Sequence, residues 1–409
     1  MRTGLLGRKL GHSYSPQIHA HLGSYRYDLF EKEPEEVEAF LKHGDFSAIN
    51  VTIPYKQTVI PFCSELSQTA RQIGAVNTIV RREDGSLIGH NTDYFGFLST
   101  VKHSGLDPAG KKVLIIGNGG ASKPAIAVME ELGAKVIVIT HKDNTPENLS
   151  RHPDAAILVN ATPVGMYPNT GVSPVDLDLF PNLEGVLDMI YNPARTRLLL
   201  DAEQRGLIVE NGLWMLVAQA KEASEWFTGS TIDDTVIGSI HRQLQLQMEN
   251  IILIGMPGSG KSTIGKLLAA KLGKEFNDAD AQIVTAAGMT IPEIFSQSGE
   301  TGFRQIESQV IAELGKRSGL VIATGGGCVT REQNYAPLHQ NGTIFCLDRD
   351  LNSLPTDGRP LSLKGKLEEM YRVRSPLYRC FADYTVDNNG TPENCVNEIL
   401  KHLNPGGKS

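Results

Sequence analysis

Cysteine is scarce in this chain. Cys63, Cys328, Cys346, Cys380 and Cys395 are the only five in 409 residues, their number is odd, and no Cys-x-x-Cys occurs. A disulfide framework or a zinc site is therefore not expected, and a reducing cytoplasm fits better. Excess positive charge is missing too: 39 Lys and Arg stand against 46 Asp and Glu, a net −7, so nothing points to a nucleic-acid partner. Long apolar runs are also absent. Stretches such as Val113–Ile116, Val136–Ile139 and Ile251–Ile254 fall far short of the roughly 18 residues of a membrane helix, and 1–12 lacks the continuous apolar segment of a signal peptide. No membrane partner is expected. No repeat of 20–50 residues and no low-complexity tract is present.

Glycine, by contrast, is abundant, with 41 residues and no fixed period. It must serve turns, or places where backbone approaches a ligand closely. With 40% apolar and 21% charged residues the composition is that of a globular protein. A chain of 409 residues exceeds what one core usually organises, so two or three domains are expected.

Short apolar runs followed by glycine and a helical pattern recur. Lys112–Ile116 reads as a strand, followed by Gly117–Gly120 and an Ala-rich helix to about Leu132. Lys135–Thr140, Ala156–Asn160 and Gly185–Asp188 read as further strands. Residues 221–247 read as helical. The pattern then restarts with strand Ile251–Ile254, a loop, helix Ser262–Leu272, and strands Leu320–Ala323 and Gly342–Leu347. This alternation is the signature of α/β folds with parallel sheets and crossover helices. The restart places a boundary near residue 248, with no Gly/Ser- or Pro-rich linker across it.

The segment Gly255-Met-Pro-Gly258-Ser259-Gly260-Lys261-Ser262-Thr263 fits G-x-x-x-x-G-K-[ST], with an apolar strand before it and a helix after it. Backbone N–H groups of such a loop cradle phosphates at a helix N-terminus. Lys261 is expected to reach the β- and γ-phosphates and Ser262 to ligate Mg²⁺. Downstream, Asp278 and Asp280 are two carboxylates at i, i+2, which share one side of an extended segment; one can serve the metal and the other an acceptor hydroxyl. Gly299-Glu-Thr-Gly-Phe-Arg304, Gly325-Gly326-Gly327, Arg359-Pro-Leu and Arg374-Ser-Pro-Leu-Tyr378 follow in that order.

In this order and spacing, 249–409 resembles shikimate kinase. The resemblance implies a nucleoside-monophosphate-kinase-like P-loop domain with a parallel sheet, which transfers the ATP γ-phosphoryl group to the 3-hydroxyl of shikimate. It implies that Asp278 with Ser262 holds Mg²⁺ and that Asp280 orients the acceptor hydroxyl. It further implies that Arg304 and Arg374 clamp the shikimate carboxylate, since paired guanidinium N–H groups match a carboxylate. Gly325, Gly326 and Gly327 would lie against the ring hydroxyls, and Arg359 in a lid would stabilise the transferring phosphoryl group.

In the other half, Gly117-Asn118-Gly119-Gly120-Ala121-Ser122 sits between a strand and a helix and departs from strict G-x-G-x-x-G at Ser122. The next strand ends about 20 residues on, where the ribose selector of a dinucleotide fold stands. His141 and Lys142 occupy that end, which leans toward the 2′-phosphate of NADP; Asp143 beside them leaves NAD open. Upstream, Asn50-Val-Thr52-Ile-Pro-Tyr-Lys56 and Gly89-His-Asn-Thr-Asp93 supply a lysine and an aspartate. Reduction of a ketone by hydride needs a proton for the forming alkoxide, and a Lys–Asp pair can deliver it.

With Ser13-Tyr-Ser15, Gly74-Ala-Val-Asn77-Thr, Asn160-Ala-Thr-Pro-Val-Gly-Met166, Asp188-Met-Ile-Tyr191-Asn-Pro and Asn211-Gly-Leu-Trp-Met215-Leu-Val-Ala-Gln219, residues 1–247 resemble shikimate dehydrogenase. The resemblance implies a two-lobed enzyme. A substrate domain at 1–105 plus 213–247 would flank a Rossmann-like NADP-binding domain at 106–212. Ser13 and Ser15 would bind the shikimate carboxylate, and Asn50, Thr52, Asn77, Asp93 and Gln219 the ring hydroxyls. Lys56 and Asp93 would form the catalytic pair, with Tyr191 and Met215 on the nicotinamide side. The expected partners are thus small molecules: 3-dehydroshikimate and shikimate, with NADP(H), ATP and Mg²⁺ as cofactors. The two resemblances rest on separate residues, yet they name consecutive reactions.

Overall fold

The computed structural model describes residues 1–11, 13–354 and 364–403, the side chains of 364–366 aside. The chain forms two compact units. One comprises Met1–Met166, Val172–Tyr191 and Leu198–Leu244; the other comprises Tyr167–Gly171, Asn192–Arg197 and Gln245–Ser409.

The first unit holds two sheets. β1 (Arg2–Gly7), β2 (Arg26–Glu31), β3 (Ala48–Val51), β4 (Glu65–Leu66), β5 (Thr78–Arg81) and β6 (Leu87–His90) form a mixed sheet in the order β2-β1-β3-β5-β6-β4. The pairs β3–β5 and β5–β6 are antiparallel and the others parallel. β7 (Lys112–Ile116), β8 (Lys135–Ile139), β9 (Ala155–Asn160), β10 (Gly185–Asp188) and β11 (Ile208–Glu210) form an all-parallel sheet in the order β11-β10-β9-β7-β8. Both faces of this sheet are covered, and the period of two along β7 sorts its residues between two cores. Leu114 and Ile116 join one, Val113 and Ile115 the other.

The second unit repeats the device. β12 (Asn250–Ile254), β13 (Glu275–Asp278), β14 (Leu320–Ala323), β15 (Gly342–Asp348) and β16 (Tyr384–Asp387) run parallel in the order β13-β14-β12-β15-β16. Ile252 and Ile254 face one core, Ile251 and Leu253 the other. In both parallel sheets the first strand lies inside, flanked by strands that follow it in sequence. Each such sheet therefore has a switch point at the carboxyl end of that strand, where ligand crevices form. The loops 117–121 and 255–260 stand at those two ends.

The helical reading of 221–247 is corrected in one respect. Helix Gly212–Thr228 stops at Gly229, whose φ of 68° is left-handed, and a second helix spans Thr235–Met248. Glycine at that C-cap carries no Cβ penalty, and the Ser-Thr-Ile-Asp-Asp that follows it is poor in helix formers, so the helix ends there. The long helix Ile291–Lys316 is likewise kinked at Gly299 (φ 66°, ψ −171°). Among the described residues no helix is long and apolar enough to cross a membrane.

Candidate active sites

In the first unit, Lys56 follows β3 and Asp93 opens helix Asp93–Ser104 directly after β6. Lys56 Nζ donates to Asp93 Oδ2 at 2.6 Å, with the two side chains only 25% and 13% exposed. A buried amide network extends from this pair. Asn77 Oδ1 accepts from Thr92 N at 2.8 Å and from Thr78 Oγ1 at 3.1 Å, and Asn50 Nδ2 donates to Thr78 Oγ1 at 3.1 Å. Thr92 Oγ1 donates to Gln219 Oε1 at 3.3 Å, which brings helix Gly212–Thr228 into the group. That helix can approach because residue 96 is glycine. A Cβ there would lie 2.9 Å from Met215 O and from Gln219 Cβ. Asn50, Asn77, Asp93 and Gln219, which the sequence expectation put together, do converge.

Ser13 and Ser15 lie at the start of helix Ser15–Leu22, where Ser15 N donates to Ser13 Oγ at 3.2 Å. Thr52 sits just past β3, its N–H donating to Leu6 O at 2.9 Å. Tyr191, beyond β10, meets Tyr14 edge to face at 6.2 Å between ring centroids, and burial pushes its hydroxyl pKa up. Burial pulls the His19 imidazole down to about 3, against the hydrogen bond it makes with Asn50. It stacks on Tyr27 at 4.1 Å, and Tyr27 OH donates to Asn50 Oδ1 at 2.8 Å. Thr92 was not singled out from the sequence. Its place beside Asp93 in the Gly89-His-Asn-Thr-Asp93 segment was the available signal.

The loop after β7 fits a dinucleotide. Gly117 has a φ of 107°, and a Cβ on it would stand 2.9 Å from Thr162 Cγ2, so the backbone lies pressed on its neighbour. Asn118, Gly119, Gly120 and Ala121 are exposed, with nothing within 4 Å of where the Cβ atoms of the two glycines would be. Ser122 is buried and donates to Gly119 O at 2.7 Å, so a serine closes the turn that a third glycine would otherwise close. Helix Ser122–Glu131 begins there, directing N–H groups at the open side, as anion binding requires. His141 and Lys142 are exposed just past β8.

In the second unit a cleft of about 600 Å³ opens above β12, lined by residues of the P-loop together with Asp278, Asp280, Arg304, Glu307, Gly325–Gly327, Arg349 and Arg374. Gly255, Gly258 and Gly260 all take positive φ, at 139°, 85° and 96°. Lys261 is 8% exposed, and its Nζ donates to Gly255 O and Met256 O at 2.9 Å each. Ser259 Oγ is buried and finds no partner among the described residues, which suits a loop shaped to wrap an anion. Thr263, on the first turn of helix Lys261–Leu272, lines the same cleft.

Ser262 Oγ donates to Asp278 Oδ2 at 2.7 Å. The pair is an all-oxygen donor set of the kind Mg²⁺ takes. The two aspartates differ from the extended i, i+2 arrangement. Asp278 ends β13 and caps the helix Ala279–Ala287 through Oδ1, which accepts from Asp280 N at 3.0 Å. Asp280 therefore stands on the first helical turn. Both still line the cleft.

At the far end Arg304 Nη1 donates to Glu307 Oε2 at 2.7 Å, with side chains 9% and 1% exposed. Burial pushes the Glu307 carboxyl pKa up and the Arg304 guanidinium opposes it. Arg304 Nε is buried without a partner among the described residues, so the guanidinium keeps a donor for an anion. Arg374 Nη1 donates to Gly326 O at 3.1 Å, and Tyr378 OH donates to the same carbonyl. The three glycines are demanded by crowding. Added Cβ atoms would lie 2.8 Å from Asp280 Oδ1 at Gly325, 2.7 Å from Pro257 Cδ at Gly326, and 2.1 Å from Arg304 Nη2 at Gly327. Glu307 and Arg349 were missed from the sequence; Glu307 had one signal, its i+3 spacing from Arg304 on a helix. Arg359 lies outside the described residues.

Comparison with known proteins agrees with both halves. The family model for the shikimate dehydrogenase substrate binding domain matches residues 5–79, and the model for shikimate kinase matches 257–404. A shikimate dehydrogenase (NADP(+)) of Caldicellulosiruptor bescii is 37% identical over 258 residues, covering 54% of this chain and 88% of that protein. The crystal structure of shikimate 5-dehydrogenase from Thermus thermophilus, in complex with NADP(H) and shikimate, matches with a TM-score of 0.54 and 32% identity. It covers 59% of this chain and 99% of that one. A chorismate mutase/shikimate 5-dehydrogenase fusion protein from Clostridium acetobutylicum matches with a TM-score of 0.56 and 34% identity, over 60% of this chain and 97% of that one. The chain belongs to the shikimate dehydrogenase family and carries a shikimate kinase domain in the same polypeptide.

Proposed function

We propose that the first unit reduces 3-dehydroshikimate to shikimate with NADPH, and that the second phosphorylates shikimate at its 3-hydroxyl with Mg-ATP. The observation that carries this reading is the coexistence in one chain of the half-buried Lys56–Asp93 pair and the Ser262–Asp278–Asp280 cluster above a P-loop. Each supplies the side chains that the proposed chemistry of its unit needs.

NADPH supplies the hydride and Mg-ATP the phosphoryl group. In the first unit Lys56 delivers a proton to the oxygen that was the ketone, while Asp93 fixes the ammonium group by their 2.6 Å contact. Asn50, Thr52, Asn77 and Gln219 meet the ring hydroxyls, and Ser13 and Ser15 meet the carboxylate. Buried hydroxyls each need such a partner, which makes the amide network a selector for a polyhydroxylated ring. Gly117 to Ala121 take the pyrophosphate, and His141 and Lys142 favour the 2′-phosphate. Tyr191 and Met215 face the nicotinamide.

In the second unit Asp280 accepts the proton of the attacking hydroxyl, Ser262 and Asp278 hold Mg²⁺, and Lys261 neutralises charge on the phosphates. Arg304 and Arg374 hold the carboxylate, with Gly325 to Gly327 beneath the ring. We place domain boundaries at 105/106, 212/213 and 248, and the protein in the cytoplasm, as suits two soluble metabolic enzyme families with five free thiols. Shikimate-dependent release of ADP from Mg-ATP, and shikimate-dependent reduction of NADP⁺ in the reverse direction, test the two assignments separately. A chain inactive in both contradicts the reading.

A further inference from the structure

One basic side chain in the second unit's cleft belongs to no motif of the sequence. Arg349 stands one residue past the end of β15 and lines the cleft. Its guanidinium lies against the P-loop: a Cβ on Gly260, the residue that caps helix Lys261–Leu272, would sit 3.8 Å from Arg349 Nη1 and 2.8 Å from Asn388 Nδ2. Arg349 Nε is buried and has no hydrogen-bond partner among the described residues. A buried guanidinium N–H left without an acceptor costs free energy comparable to a lost charged hydrogen bond, so it is poised for an acceptor that arrives with a ligand.

The backbone around it is braced. Asn388 N donates to Asp348 O at 2.8 Å, Asp350 N donates to Asn389 Oδ1 at 2.8 Å, and Asn388 Nδ2 donates to Ser259 O at 2.6 Å. The residues before and after Arg349 are thus tied to the 387–389 turn, and that turn to the P-loop itself. The shikimate end of the cleft is separate, formed by Arg304, Glu307 and Arg374 around Gly325–Gly327. Arg349 belongs to the nucleotide end.

We infer that Arg349 is a nucleotide-binding residue of the kinase unit, its guanidinium donating to the phosphate chain of the bound nucleoside di- or triphosphate beside the P-loop. The inference rests on the kinase reading above. Arginine suits the role, because two N–H groups in one plane can meet two phosphate oxygens, whereas lysine offers a point charge.

The test uses the full chain and three variants of probe: Mg-ADP, adenosine and shikimate, each titrated by calorimetry into wild type, Arg349→Ala and Arg349→Lys. Arg349→Ala is expected to weaken Mg-ADP at least about tenfold, the scale of one charge-assisted hydrogen bond, with Arg349→Lys in between. Adenosine and shikimate affinities and the dehydrogenase rate should stay at wild-type values. Mg-ADP affinity within twofold of wild type in Arg349→Ala overturns the inference. Equal weakening of adenosine also overturns it, since the contact would then be to the nucleoside. If Arg349→Ala loses shikimate binding, Arg349→Lys decides: weaker Mg-ADP with normal shikimate binding supports the inference, and loss of both assigns Arg349 to the fold instead. A wild type that binds Mg-ADP but leaves shikimate unphosphorylated contradicts the kinase reading and not this one.

Discussion

Lys56 Nζ and Asp93 Oδ2 lie 2.6 Å apart although 37 residues separate them in the chain. One follows β3 and the other β6, and the strand between those two, β5, pairs antiparallel with both, which brings their carboxyl ends to the same end of the sheet. If Lys56 is the proton donor, Lys56→Ala should lower kcat for reduction by about 10²–10⁴-fold, the usual worth of a positioned general acid. Asp93→Asn should lower it less, because the amide still accepts a hydrogen bond. A rise in KM with kcat unchanged would contradict the role.

Gly327→Ala should damage the kinase at its shikimate end. The new methyl would lie 2.1 Å from Arg304 Nη2, so the guanidinium must move. Overpacking of about 1–3 kcal/mol corresponds to roughly 5–150-fold, expected in KM for shikimate. KM for ATP should change little. Steady-state kinetics with each substrate varied separately checks this, and an unchanged shikimate KM would refute the placement of Arg304.

Lys142→Ala combined with His141→Ala should erode the preference for NADPH over NADH. Both side chains are exposed beyond β8, where a 2′-phosphate would stand. Loss of a charge-assisted contact predicts about a tenfold or greater drop in kcat/KM for NADPH with NADH nearly unchanged. Equal values for the two cofactors in the wild type would overturn the NADP assignment.

The first unit should lose stability in acid partly through His19. Burial lowers its folded pKa to about 3 from 6.5. The unfolded chain therefore binds the proton more readily between those values, so stability falls as pH drops from 6.5 toward 3 and is unaffected above 6.5. His19→Gln should flatten that part of the pH profile. Urea midpoints of the dehydrogenase unit at pH 7.5 and 5.0, compared between wild type and variant, read this out; equal acid sensitivity would count against it.

Local chemistry was the legible part of the sequence. The two glycine loops announce themselves because strand, loop and helix lie within some twenty residues, and their chemistry depends on backbone N–H groups. The parallel strands β7, β9, β10 and β12 were readable because, buried on both faces, they are apolar runs, and the edge strand β8 because its half-buried residues are apolar as well. The mixed sheet of the first unit was not, since β4 has two residues and β2 mixes exposed and half-buried positions without strict alternation. The convergence of Asn50, Asn77, Asp93 and Gln219 needed family resemblance, because long-range contacts leave no trace in spacing. Asp280 was expected on an extended segment; the capping of a helix by Asp278 put it on a helical turn instead. Arg349 carries no motif at all, and only its place against Gly260 and its buried Nε single it out.

The most direct measurement of the central claim is one reaction mixture holding 3-dehydroshikimate, NADPH and Mg-ATP, followed for NADPH loss and for phosphoshikimate. Wild type should consume NADPH and form the phosphate ester. Lys56→Ala should leave NADPH intact yet phosphorylate shikimate added from outside, and Lys261→Ala should consume NADPH while shikimate accumulates. Wild type that fails at either step, or variants that lose both activities together, would contradict two separate catalytic sites in one chain.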